Sequence, residues 1–221
     1  MDKIETKVKD IAIFGAGGFG KEVACLIHLI NQNKPTWNLI GFFDDGVEKG
    51  KQISHYGVVL GGMKELNDWD TSLDLAIAIG SPISLSGVKT RITNNNICFP
   101  NIIHPDITIV DPLSFSIGEG NIIQRGCCFS CDVIIGDFNV LNGDISFGHD
   151  DKIGDYNVLM PGLRISGEVE MGCKNFIGVG AIVLQQTKIG DSIKLGAGSV
   201  LMTKPKDGLT YIGVPAKKFD Y

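Results

Sequence analysis

From Ile117 to Leu201 every sixth residue is apolar, opening with Ile117, Ile123, Phe129 and Ile135 and closing with Ile189, Leu195 and Leu201. Fifteen positions hold this register without a break. Apolar residues make up near half of ordinary usage, so chance would give such a run in roughly one case in tens of thousands. Glycine follows the apolar residue in eight of the fifteen units, against a background of about 7%. Glycine there suits a corner where the backbone takes positive φ or where a Cβ has no room. A period of six fits neither a helix nor an extended strand; it fits a short strand plus a turn, repeated, with one side chain per unit pointing inward. Such units cannot fold alone, but stacking buries their aliphatic side chains at roughly 1.5–3 kcal/mol each. Three units to a triangular coil turn the fifteen into five coils, a prism about 24 Å tall at ~4.8 Å per coil. The pattern predicts a β-helix.

The first hundred residues are patterned differently. "DIAIFGAGGFGKEVACLIHLI" reads as a buried strand over Ile11 to Phe14, a glycine turn, and a helix with apolar positions Val23, Leu26, Ile27 and Ile30. "LIGFFDD" reads as a second strand ending in Asp44 and Asp45, and "LDLAIAIGS" (73–81) as a further buried strand ending at Gly80. The junction "CFPNIIHPDITIVDP" carries three prolines, which punctuate regular structure. The chain therefore divides into an α/β part, 1–104, and a β-helix with a C-terminal extension, 105–221.

Composition narrows the function. The formal net charge of −5 argues against nucleic-acid binding, which calls for basic clusters to neutralise phosphates. No apolar run approaches the roughly 20 residues of a membrane helix. The opening "MDKIETKVKD" is charged, with no apolar signal core, so the cytoplasm is the expected location. Six cysteines in such a chain read as reduced thiols.

Gly15, Gly17 and Gly20 form G-x-G-x-x-G between the first strand and the helix, where backbone N–H groups and a helix N-terminus can receive phosphate oxygens. Two acids at the end of the next strand are placed to meet a ribose or a base. Alone, this would suggest a dinucleotide-binding oxidoreductase. Only about 100 residues precede the repeat, whereas a full dinucleotide domain needs two mononucleotide halves. One half suffices for a nucleotide diphosphate. A purely structural glycine turn is the competing reading.

The combination is more specific than either part. A half-Rossmann domain with "GAGGFGKEV", "GFFDD" and "AIG", joined through "IIHP" to a hexad repeat and closing on "YIGVPAKKF", resembles hexapeptide-repeat sugar acetyltransferases of the sialic acid O-acetyltransferase and UDP-4-amino-sugar N-acetyltransferase group. The resemblance covers nearly the whole chain. It implies a left-handed parallel β-helix, a homotrimer with the active site between subunits, acetyl-CoA as co-substrate, and no metal. It implies an α/β domain that holds a UDP- or GDP-linked amino sugar through Ala16, Gly17, Gly18, Asp44, Asp45 and Gly80. Relatives often carry histidine before Gly20; here the residue is Phe19, and no polar contact is assigned to it.

"FGHDDKIG" matches the group's H-[DE]-x-x-I-G, which implies His149 as general base and Asp150 as its carboxylate partner. The chemistry suits the match. Acetyl transfer from a thioester needs a base to take the acceptor's proton, and an imidazole of pKa near 6.5 is largely neutral at pH 7. A neighbouring carboxylate orients the ring and stabilises the imidazolium. Direct attack then needs no cysteine nucleophile. Asn142 matches an asparagine near the acceptor. Gly167, Val179 and Ala197 match cofactor contacts, with Val158 where many relatives carry histidine. Lys204, Lys217 and Lys218 are either partners of CoA phosphates or solvated charges.

The remaining candidates read as structural: His28 as a packed histidine of the helix, His55 as a loop residue, and His104 as part of the entry to the β-helix. Cys127, Cys128 and Cys131 include one C-x-x-C, but no second pair at zinc-ligand spacing follows, and buried thiols are the better reading. The leading expectation is N-acetylation of a nucleotide-linked amino sugar. O-acetylation of a sialic-acid-like or other small hydroxyl acceptor would use the same base. A non-catalytic nucleotide-sugar or CoA scaffold, and an NAD-dependent oxidoreductase, stand further off.

Overall fold

A computed structural model describes residues 8–220; the stretch 1–7, most of the charged opening read above as lacking a signal core, lies outside the described residues. The α/β part contains β1 (Lys9–Phe14), α1 (Gly18–Asn33), β2 (Trp37–Phe43), β3 (Gln52–Ile53), β4 (Gly57–Gly61), α2 (Met63–Asn67), β5 (Leu73–Ile77), α3 (Pro82–Arg91) and β6 (Ile97–Cys98). Its sheet runs β3-β4-β2-β1-β5-β6, parallel except for the β3–β4 hairpin. Alternation along β1 supplies two faces. Ile11 and Ile13 pack with Val23, Leu26 and Ile27 of α1, while Ala12 and Phe14 pack with Met63 and Leu66 of α2 and Leu85 and Val88 of α3. β1 lies between β2 and β5, so the chain turns to opposite sides there and opens a crevice at the strands' carboxyl ends. The third strand read from the sequence is shorter than expected: β5 ends at Ile77, and Ala78 to Gly80 form the loop above it.

The second half winds into a parallel β-helix of two-residue rungs on three faces. The first face stacks Ile102–Ile103, Ile122–Ile123, Val140–Leu141, Val158–Leu159, Phe176–Ile177 and Lys194–Leu195; the second runs from Thr108–Ile109 through Ser146–Phe147 to Val200–Leu201; the third runs from Ser116–Ile117 through Lys152–Ile153 to Lys188–Ile189. From Ile117 onward, the second residue of each rung is the apolar residue of the hexad. From Ile123 on these fill the interior, with Ile117 partly buried against it. Partners lie 18 residues apart, as in Ile122↔Val140 and Val140↔Val158. The helix begins earlier than the repeat, because Ile122 pairs back to Ile102 and Cys128 to Thr108, each 20 residues away. Those two extra residues in the first coil break the hexad, so its opening rungs were invisible to periodicity.

Two devices shape the corners. Gly148, Gly154 and their counterparts after the apolar residue do not adopt positive φ; they leave room for the adjacent coil. A Cβ on Gly154 would lie 2.8 Å from the Gly172 carbonyl oxygen. The left-handed residue comes two positions later, for example Asp144, Asp150, Tyr156 and Gly162. At the corner entering the first face, Asn121, Asn139, Asn157 and Asn175 form a buried column. Each Oδ1 accepts the backbone N–H one coil on, at 2.7–2.9 Å, and each Nδ2 finds an oxygen. The column keeps polar corner amides satisfied inside the fold.

The first face is covered by the α/β part. Its outward residue Ile122 joins the α1 cluster, and Val140 and Val158 join the cluster of α2 and α3. Beside them Phe138 stacks on Tyr156 (5.4 Å, 7°) and meets Phe99 edge-on, with the Lys89 ammonium of α3 4.4 Å from the Phe99 ring. Past the last coil, Thr210–Ile212 and Lys217–Lys218 close the first face as a hairpin.

Candidate active site

At the glycine loop, packing explains two glycines and leaves others free. Gly15 adopts φ +113°, and a Cβ there would lie 2.7 Å from the Ala78 oxygen; at Gly20 it would collide with the Gly15 carbonyl. These are demands of the strand–helix junction. Around Gly17, Gly18 and Gly80 there is nothing within 4 Å of an added Cβ, so all three border open space at the carboxyl ends of β1 and β5. No side chain caps the N-terminus of α1 at Gly17. Its first N–H groups thus have no side-chain acceptor and face the crevice as donors.

Ala16, Asp44 and Asp45 are engaged with the protein itself. The Ala16 N–H donates to Asp44 Oδ2 at 2.8 Å, and Gly46 N–H donates to Asp44 Oδ1 at 2.8 Å. Asp45 Oδ1 accepts Met63 N–H at 2.7 Å, and Arg91 Nη2 donates to Asp45 Oδ2 at 2.8 Å. The Met63 amide, then the Arg91 guanidinium, hold the Asp45 carboxyl below the usual carboxylate range. The two acids shape the crevice wall by tying loop to loop.

His149 stands at the corner between the second and third faces, in the turn from Ser146–Phe147 to Lys152–Ile153. Its ring and the Asp150 carboxylate are half-exposed, and Nδ1 lies 2.8 Å from Asp150 Oδ2. A carboxylate only accepts, so Nδ1 carries the hydrogen and Nε2 keeps its lone pair. Asp150 holds φ +60°, a conformation that Asp tolerates better than most side chains. The turn is pinned by Asp150 N–H to the Cys131 oxygen (3.1 Å) and by Glu168 N–H to the His149 oxygen (2.7 Å). Gly167, one coil on, lies against the ring; a Cβ there would come 2.5 Å from His149 Nε2. Its small size is thus already required by the imidazole. The hydrogen bond to Asp150, followed by the charges of Asp150, Glu168 and Asp151, raises the His149 pKa above 6.5.

Glu168, Gln185 and Gln186 were missed in the sequence. Gln185 and Gln186 donate to the Glu168 carboxylate at 2.9 and 3.1 Å, which keeps it below the usual range. The signal was available: adding the 18-residue coil to Asp150 gives 168.

Asn142, Val179 and Ala197 belong to a different corner, between the first and second faces. Asn142 Nδ2 donates to the Leu159 oxygen at 3.0 Å; Val179 and Ala197 are exposed one coil apart. One side of the triangle separates this corner from His149, about 15–20 Å of extended chain. A single chain does not bring the two sets together. Val158 requires a correction. It is 1% exposed and packed in the cluster beneath the α/β part, so it offers no surface to a cofactor. Lys218 pairs with Asp220, and Lys204 borders the open third face beside Lys152 and Lys188.

His28 also departs from expectation. It lies on the exposed face of α1, bonded to Gln32 (3.0 Å), and is not a core residue. His55 packs against Tyr56 with the rings tilted by 36°, and His104 Nδ1 accepts Asp106 N–H at 2.9 Å in the loop entering the β-helix. Cys127 is buried, with its thiol pushed up to about 11 by desolvation, while Cys128 and Cys131 are half-buried. Among the described residues no group of three or more His, Cys, Asp or Glu is arranged to hold a metal, and no helix is long and apolar enough to cross a membrane.

Residues 10–85 match the family of the PglD N-terminal domain. No curated protein sequence matches the chain. Among solved structures it is similar to the acetyltransferase domain of PglB from Neisseria gonorrhoeae FA1090 in complex with acetyl coenzyme A, at 28% identity and TM-score 0.86 over 96% of this chain and 100% of that one. It is similar to PerB from Caulobacter crescentus in complex with CoA and GDP-perosamine, at 27% identity and TM-score 0.83 over 96% and 98%. It is also similar to WeeI from Acinetobacter baumannii AYE, at 26% identity and TM-score 0.84 over 96% and 100%.

Proposed function

We propose that this chain, a hexapeptide-repeat sugar acetyltransferase that uses acetyl-CoA, transfers acetyl to the amine of a nucleotide-linked amino sugar, with His149 as general base. The carrying observation is the His149–Asp150 pair at 2.8 Å, which leaves Nε2 free to accept a proton. The acceptor nitrogen attacks the thioester carbonyl carbon, the N–C bond forms, and the proton passes to Nε2. The C–S bond then breaks, and the imidazolium returns the proton to the leaving thiolate, giving CoA and the amide. Asp150 stabilises the imidazolium between the two steps.

Recognition is assigned to the α/β part, residues 1–104, and acyl delivery to the β-helix, 105–221. Diphosphate oxygens are read as lying on the open N–H groups at Gly17 and Gly18, with Gly80 on the opposite wall. Asn142, Val179 and Ala197 would meet His149 and Gly167 only across two copies of the chain, which favours a trimer with shared sites. PerB's complex with CoA and GDP-perosamine supports an amino-sugar acceptor.

Incubation with acetyl-CoA and UDP- or GDP-4-amino sugars, followed by mass spectrometry of the product, tests the reading. An alkali-stable amide is the expected product; an alkali-labile ester would make the acceptor a hydroxyl, and no acetylated product from any sugar would overturn the activity. Light scattering should give three times the 23.8 kDa of one chain.

A further inference from the structure

Asp151 follows the catalytic pair and points the other way. It is fully buried, in a column whose neighbours one coil to either side are Val133 and Val169, both also fully buried. A carboxyl group in an apolar column is costly unless it is satisfied. Asp151 Oδ1 accepts the Val169 N–H of the next coil at 2.9 Å, beside the Glu168 N–H that donates to the His149 oxygen at 2.7 Å. Oδ2 has no partner. The column shows that the fold does not need an acid here: valine serves in both adjacent coils. In the last coil Thr187 ties its own turn by donating to the Leu184 oxygen at 2.6 Å. At Asp151 the tie runs to the next coil instead, and it starts two residues after His149.

We infer that Asp151 is a positioning residue for His149: from inside the coil its carboxyl clamps the 148–150 turn to the next coil and sets how firmly the imidazole holds its proton. The inference rests on the reading of His149 as the base. The charged and titratable groups facing Asp151 are His149 and Asp150 of its own turn. Burial pushes its carboxyl up to about 6, so the clamp changes charge within the range where the imidazole works.

Two substitutions separate the clamp from mere packing. Asp151→Val reproduces the neighbouring coils but removes the acceptor for the Val169 N–H. Asp151→Asn keeps an acceptor and removes the charge. In the valine protein kcat should fall at least tenfold with KM for acetyl-CoA within twofold of wild type. The asparagine protein should recover most of kcat at pH 8, with the acid limb of its pH–rate profile moved to lower pH. NMR titration of the His149 ring gives a readout independent of turnover: its midpoint should drop in both variants. A wild-type kcat and a wild-type His149 titration in Asp151→Val would overturn the inference. If the valine protein does not fold, an unchanged His149 midpoint in Asp151→Asn would overturn it. Absence of acetyl transfer by the wild type would remove the functional reading, while the NMR titration would still decide whether Asp151 governs the imidazole.

Discussion

Two corners of the same prism use one backbone conformation for opposite purposes. Between the first and second faces the left-handed position is Gly126, Asp144, Gly162, Gly180 and Gly198; between the second and third it is Asp132, Asp150, Glu168 and Gln186. Glycine adopts positive φ without strain, so the first corner, glycine at every one of these positions except Asp144, is the smoother one. Gly180 and Gly198 have no atom within 4 Å of an added Cβ. The second corner accepts the strain of non-glycine residues, of order 1 kcal/mol or more each, and in return presents carboxylates beside an imidazole. The difference teaches that residue choice at an identical φ separates a smooth, open corner from one that carries carboxylates and an imidazole, the corner the proposed function assigns to proton transfer.

The comparison breaks most sharply at His149. His149→Ala should lower acetyl transfer by about 10²–10⁴-fold, and because the ring is half-exposed, the melting temperature should stay within a degree or two; unchanged turnover would remove His149 from the chemistry. Next comes the buried acid. Because the folded Asp151 pKa lies above its unfolded value, its favourable contribution is complete below about pH 4 and is lost as pH rises through about 6. Wild type should lose on the order of 3 kcal/mol over that window relative to Asp151→Asn. Parallel denaturation curves at pH 4 and pH 8 check this, and equal pH dependence would refute it.

A smaller effect sharpens the glycine corner. Gly180→Ala puts a Cβ at φ +64° next to Val179 of the proposed CoA corner, costing about 1 kcal/mol, and should raise the Kd for CoA severalfold by calorimetry. The same change at Gly17 should leave CoA binding alone and weaken the nucleotide sugar. The smallest expected effect is Asp150→Asn, which keeps a residue tolerant of φ +60°. It removes the chief cause of the raised His149 pKa, so the acid limb of kcat/KM moves to lower pH. A limb that stays in place would assign it to another group.

Much of this was legible in the sequence because stacking imposes strict arithmetic. Hexad spacing identified the inward residue of every rung from Ile117 to Leu201, and the strand–glycine–helix text identified β1 and α1. The rungs at Ile102–Ile103 and Thr108–Ile109 escaped because their coil is two residues longer. The outward side of the rungs was not decoded either. Val158 looks like Val183 in the text, but one is covered by another part of the chain and the other points into the coil. His28 was misread for a related reason: apolar neighbours in sequence do not say which face of a helix a residue occupies. The hydrogen bonds that Asp44 and Asp45, read as placed to meet a ribose or a base, make to Ala16, Gly46 and Met63 depend on loop closure that spacing does not encode.

The asparagine column also limits how such a chain can grow. Each amide hands its bond to a neighbour one full turn away, so a segment spliced into the prism keeps the hand-off only if it is eighteen residues long or a multiple of that. Any other length must bulge out at an edge, as residues 110–115 do before the regular winding begins. Lengthening by whole turns would add wall without moving either end's chemistry, whereas the loss of a single residue inside the column would orphan every polar contact at the break.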